Sequence, residues 1–198
     1  MNFKGQMNMA YSIRILKIIG IMILSMLYAL NFCFAESKDE TMAWVGLDLY
    51  LSILSADEDI AQKKDSLEKL NILVVYNAKE KKAEEMVNYL SEKEVKGFPL
   101  NAVITDVESI KNYADKNLAG IFISERNIRD LKVIIDFSIS HNLIVFSPFE
   151  EHVLSGVTSG MIINDRIVPY ININTAKMAK IRIKPFFLRI AEKFKSND

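Results

Sequence analysis

This chain of 198 residues holds only two histidines, and one of them follows two acids in Glu150-Glu151-His152. A carboxylate beside an imidazole can bind a metal ion or shuttle a proton. The spacing works against that here, because adjacent residues on a helix point about 100° apart. His141 falls at the end of a predicted helix, where the helix dipole favours an imidazolium. Both histidines therefore read as structural. The stretch Gly156-Val157-Thr158-Ser159-Gly160 has glycines that would let backbone amides converge on a phosphate. No Gly-Lys-Thr follows it, and it opens no strand-to-helix turn of the dinucleotide-binding type. It reads instead as a tight entry into a hairpin. No serine sits in a Gly-x-Ser-x-Gly elbow. The single cysteine is Cys33, so the chain beyond it has no thiolate nucleophile, no disulfide and no cysteine-bound zinc. The sequence argues for no catalytic set, no metal site and no cofactor.

Two weaker constellations remain. In open α/β sheets ligands sit beyond the carboxyl ends of the strands. The predicted strand ends carry Asn77, Asp106, Ser124, Arg126, Ser147 and Thr158, a set suited to a small polar ligand. The competing reading makes Asp106 and Ser124 helix caps and Arg126 a surface residue. The second constellation is aromatic. Trp44 and Tyr50 lie in a segment with few charges, and an amphipathic aromatic helix can dock a partner protein. Core packing is the rival use of most of these side chains.

The elements that must position these residues follow from periodicity. Residues 43–54 place Ala43, Leu47, Tyr50, Leu51 and Leu54 on one helical face. Residues 57–69 are rich in both charges and read as a solvated connection. From residue 71 onward apolar β-branched runs alternate with amphipathic stretches. Strands are predicted at 72–76, 98–105, 119–123 and 143–146, with helices at 80–93, 107–118 and 128–141 and a turn of helix at 149–154. Asn164-Asp165 between apolar runs marks a hairpin. Asn174-Thr175 then caps a short helix over 176–180, and Pro185 opens a closing helix through Phe187, Ile190, Ala191 and Phe194. The expected fold is a single-domain α/β three-layer sandwich. Its mostly parallel sheet is flanked by helices and ends in a β-hairpin and a closing helix.

Charge and composition narrow the function classes. Half the residues are apolar and a quarter are charged, as in a globular domain. The formal net charge is zero. Residues 1–35 hold Lys4, Arg14, Lys17 and no acid, so the rest is slightly acidic and carries no footprint for nucleic acid. Those first 35 residues read as an export signal. A basic start, an apolar run over 18–30 and Cys33-Phe34-Ala35 place a cleavage after Ala35. An uncleaved membrane anchor is the alternative. Residues 36–42 then read as a disordered leader within a 36–70 amino-terminal part, ahead of the α/β domain over 71–198.

The tail runs from a glycine loop through a hairpin and the Asn172-Ile173-Asn174-Thr175-Ala176-Lys177 turn to a final amphipathic helix. In this order it resembles the carboxy-terminal part of the YfiR/HmsC-like (DUF4154) family of periplasmic proteins. The likeness is a pattern of residue types, closest over 141–195 and loose over 71–140. The chain lacks the cysteine pairs that several relatives carry and the Trp-Pro that often ends the family's first helix. Gly156 and Gly160 stand four apart where the family's glycines are often adjacent. The resemblance implies a non-enzymatic periplasmic sensor-type domain. Its partner would be the periplasmic part of a membrane signalling protein, such as a cyclase making cyclic di-GMP; a homodimer is a further expectation. The tail is also similar to the end of ABC-type periplasmic substrate-binding proteins, which keeps a small-molecule binding protein as the alternative.

Overall fold

The computed structural model describes residues 21–22 and 38–195. Apart from Ile21 and Met22, the expected export signal lies outside these residues, as does its cleavage after Ala35. The chain divides into two units, Met1–Glu40 and Thr41–Asp198; the sheet belongs to the second.

Helix α1 covers residues 38–56, so the stretch from 38 to 42, expected as a disordered leader, is helical. Ala43, Leu47, Tyr50 and Leu54 recur every three to four residues and are buried with Ile53, as the periodicity requires. Eight strands form one sheet. They are β1 (Leu70–Tyr76), β2 (Glu94–Val95), β3 (Phe98–Asp106), β4 (Leu118–Ile123), β5 (Ile144–Ser147), β6 (Ser159–Ile163), β7 (Ile167–Asn172) and β8 (Glu192–Phe194). Their order across the sheet is β2-β3-β1-β4-β5-β6-β7-β8. The five strands from β3 to β6 run parallel, while β2 pairs antiparallel with β3 and β7 antiparallel with β6. Helices α2 (Glu80–Ser91), α3 (Leu131–Ser140), α4 (Glu150–Leu154), α5 (Ile173–Met178) and α6 (Pro185–Ile190) complete the layers. The expected α/β class with a mostly parallel, helix-flanked sheet is therefore the observed one.

Alternation along the central strands divides the core. Ile72, Val74, Phe122, Ile144 and Phe146 pack under α1 and α2 together with Ile183, Phe187 and Ala191. Leu73, Val75, Ile121, Ile123 and Val145 pack on the opposite face with Ile110, Ile134 and Phe137. Side chains alternate across a strand, so a run buried at every position needs cover on both faces. At the centre, Tyr50 meets Phe122 and Phe146 with ring centroids at 5.5 and 5.8 Å. Gly120 makes that approach feasible, because a Cβ there would lie 2.6 Å from the Tyr50 hydroxyl.

Several elements differ from expectation. The helix expected at 107–118 is a 3-10 turn, Glu108–Tyr113, and Val103 of β3 is left exposed on that face. The connection at 57–69 is not simply solvated. Asp57 is 1% exposed and bonds Lys63 Nζ at 2.7 Å, and Ile60 is fully buried. Backbone bonds from Glu58 to the Arg182 carbonyl and from Lys184 to the Ala56 carbonyl stitch this segment to the tail. The hairpin turn spans the three residues between Ile163 and Ile167 rather than two. Asn172, not Asn174, caps α5 by accepting from the Thr175 amide at 3.0 Å, so the helix starts earlier than expected. The closing helix stops at Ile190. Ala191 is extended, and Glu192–Phe194 adds to β7 as a parallel edge strand. Phe187 and Ala191 are buried as expected, but Ile190 faces outward.

Candidate functional site

The chain leaves β1 toward β3 on one side and reaches β4 on the other, so β1 and β4 flank the topological switch point, where open α/β sheets bind ligands. Local sequence sets up an anion cradle there. The turn after β1 presents three successive backbone amides, Asn77, Ala78 and Lys79, ahead of α2. The carboxylate of Glu125, from the loop after β4, fills it. Glu125 Oε1 accepts from the Asn77, Ala78 and Lys79 amides at 3.0, 3.0 and 2.6 Å. Glu125 is itself buried. The protein's own acid therefore occupies the crevice.

The other strand ends are closed in the same way. Asp106 accepts from the Ser109 amide at 2.7 Å and caps the 3-10 turn. That bond, led by the Ser109 backbone, lowers the Asp106 pKa from the ordinary carboxylate value. The Ser124 hydroxyl donates to the Val75 carbonyl at 2.9 Å and locks β4 to β1. Arg126 pairs with Glu151 and lies over the Phe149 ring, 4.6 Å from its centroid. His152 Nε2 bonds the Arg126 carbonyl at 2.8 Å and its Nδ1 bonds the Ser147 hydroxyl at 2.8 Å. Since a carbonyl only accepts, the proton is on Nε2 and the Ser147 hydroxyl donates to Nδ1. The same hydroxyl accepts from the Phe149 amide at 3.2 Å. Burial lowers the His152 pKa and keeps the ring neutral, while the bond to Arg126 opposes that shift. Ser147 is fully buried, so this serine–histidine pair ties β5 to α4 and the loop after β4.

The sequence-predicted ligand set is thus not gathered round one opening. Asn77 contributes its backbone to the cradle, Asp106 and Ser147 are spent on nearby groups, and Ser124 is spent on the neighbouring strand. Thr158 precedes β6, whose start pairs with the end of β5, so it is not at a strand's carboxyl end at all. It is wholly buried and its hydroxyl has no partner among the described residues. Gly160 is not part of a phosphate loop but a residue of β6. A Cβ there would lie 2.5 Å from the Ser147 carbonyl oxygen. Of the aromatic pair, Tyr50 is fully buried, which removes it as a partner contact; its hydroxyl has no partner among the described residues, and burial raises its pKa well above the ordinary value. Trp44 is half-buried, edge-on to Tyr89 at 5.9 Å between centroids. Tyr89 in turn donates to Asp48 at 2.5 Å, and Val45 beside it is exposed. Glu125 stands at a predicted strand end but is absent from the candidate ligand set. Its only signal is an acid two residues beyond a buried strand.

An opening does exist at the amino ends of β1, β3 and β4. A cavity of about 480 Å³ is lined by Asp65, Asn71, Asn101, Val103, Tyr113 and Leu118 among others. Asn71 organises its rim, donating to Asp65 at 3.2 Å and to the Asn117 carbonyl at 3.0 Å, and accepting from Asn101 at 2.7 Å. Asp65 is held below the ordinary carboxylate pKa, first by the Lys69 backbone amide. The thin 3-10 cover over this face leaves Val103 open to solvent.

Among the described residues no group of three or more His, Cys, Asp or Glu is placed to hold a metal ion, and no helix is long and apolar enough to cross a membrane. No family model matches the chain and no curated protein matches it. Among solved structures it is similar to the ABC domain in complex with L-Trp from Streptococcus pneumonia, with a TM-score of 0.48 and 11% identity. That alignment covers 71% of this chain and 61% of the other. The chain thus spans less than two thirds of that structure's length.

Proposed function

We propose that this is a non-enzymatic, exported regulatory domain that binds the periplasmic part of a membrane signalling protein, such as a diguanylate cyclase, and modulates it. The observation that carries the reading is the filled switch point. Glu125 occupies the amides that would otherwise meet a ligand, and Ser147 and His152 are buried against each other. A domain built this way acts through its surface, and a repressor needs only differential affinity for the partner's inactive state. The contact face assigned here is the exposed side of α1 at Trp44 and Val45, with Tyr89 of α2. Deleting the protein should raise cyclic di-GMP, and the rise should vanish when the partner cyclase is also deleted. A photo-cross-linker at position 45 should trap that membrane protein. Unchanged cyclic di-GMP, with nothing trapped, would sink the proposal.

The cavity at the amino ends of β1, β3 and β4 favours a second reading, a small-molecule binding protein. Ligand screening by thermal shift distinguishes the two: a cognate ligand should stabilise the chain saturably, and Val103→Asp should abolish the effect.

A further inference from the structure

The tail concentrates positive charge in a chain whose other residues are net acidic. Residues 176–195 contain seven lysines and arginines and one acid, Glu192, although the whole chain carries no net charge. Two of the seven are committed elsewhere: Arg182 pairs with Asp59 and Glu58, and Lys184 donates to the Ser55 carbonyl at 3.0 Å. Lys177, Lys180, Arg189 and Lys193 are exposed and make no ion pair among the described residues. The α6 helix turns Phe187 into the core, which forces Phe186 and Ile190, one turn apart, to the outside. They are 52% and 61% exposed, and Arg189 lies on the same outer side. Met178, at the end of α5, is 56% exposed between Lys177 and Lys180. Pairing of β8 with β7 puts α5, α6 and β8 along one edge of the sheet.

We infer that this edge docks on an anionic phospholipid surface, with Phe186 and Ile190 entering the headgroup region and the surrounding lysines facing lipid phosphates. Apolar side chains protruding beside unpaired lysines match an interfacial membrane contact, in which area burial and attraction to anionic lipid act together. A protein interface fits less well, because such interfaces are depleted in lysine and the free cations here are mostly lysine. The inference is independent of the regulatory reading, since either an anchored or a freely exported domain presents this edge.

The test uses the full-length chain with Trp44 replaced by Phe and a single tryptophan introduced at 186, mixed with vesicles carrying brominated lipids. Vesicles containing phosphatidylglycerol should quench Trp at position 186, whereas neutral phosphatidylcholine vesicles and high salt should leave it bright. A tryptophan placed instead at Leu67, which is 73% exposed and precedes β1, should not be quenched. Arg189→Glu with Lys193→Glu should weaken binding to anionic vesicles at least tenfold, given about fivefold per cation near such a surface. Equal quenching at 186 and 67, or quenching indifferent to lipid charge, overturns the inference. So does quenching that persists undiminished in the double charge reversal. A cross-linker at 186 that captures a protein in cells, with no quenching by vesicles, overturns it in favour of a protein partner.

Discussion

The two ends of the parallel sheet are treated oppositely. At the carboxyl ends the polar groups turn inward on one another. Glu125 takes three backbone amides, Asp106 takes one, and the Ser147–His152 pair ties β5 to α4 and the loop after β4. At the amino ends the polar groups of Asn71 and Asn101 line a cavity whose apolar wall includes the exposed Val103. A shared architecture therefore does not dictate which end is available. That depends on whether the side chains beside the strand ends satisfy the protein or leave room for something else.

Mutations at the two ends should separate them sharply. The largest effect is expected for Glu125→Ala, which strips a buried carboxylate from three amides and should cost about 3 kcal/mol of unfolding free energy. A denaturant melt within experimental error of wild type would show the cradle to be solvated rather than filled. Ser147→Ala should cost about 2 kcal/mol, because it orphans His152 Nδ1 and the Phe149 amide together.

The same site carries a pH signature. His152 has its folded pKa lowered from 6.5, so at low pH the unfolded chain takes up a proton that the folded chain resists. Its neutral form supports the fold fully above pH 6.5, and that support is lost as pH falls through the depressed folded value. Stability measured from pH 7 down to 5.5 should therefore decline, and the decline should be shallower in His152→Gln. Parallel slopes in the two proteins would remove histidine from the account.

Between the two ends, Tyr50→Phe should gain about 1 kcal/mol by deleting a buried hydroxyl that has no partner among the described residues. A loss there would reveal a hidden bond. The smallest effect belongs to the open end. Asn101→Ala should shift stability by less than about 0.5 kcal/mol, since its side chain is exposed and its single bond is to another solvent-facing amide. A cost comparable to that of Ser147→Ala would erase the distinction between the ends.

Much of the fold was legible in advance because it is local. The buried run of β1, the α1 face through Leu47 and Leu54 and the proline opening α6 each follow from a few neighbouring residues. The amphipathic stretch over 107–118 misled because its apolar spacing is compatible with a helix, yet only a 3-10 turn forms. Ile190 and Phe194 misled for another reason. They continue the helical face of Phe187, but the free edge of β7 competes for the same segment and takes residues 192–194 into the sheet.

What the sequence alone determined is the class of the molecule: an α/β sheet buried on both faces. Those features are sums over many residues or patterns within one element. The tertiary structure decided which groups are spent and which are free. Glu125 finds its amides 46 to 48 residues away, and Asp57 becomes buried because the tail returns to pair with it at Ile183. Neither partner is encoded near the residue it satisfies. Bonds closed across such separations depend on how the strands are ordered, and order is a property of the whole sheet.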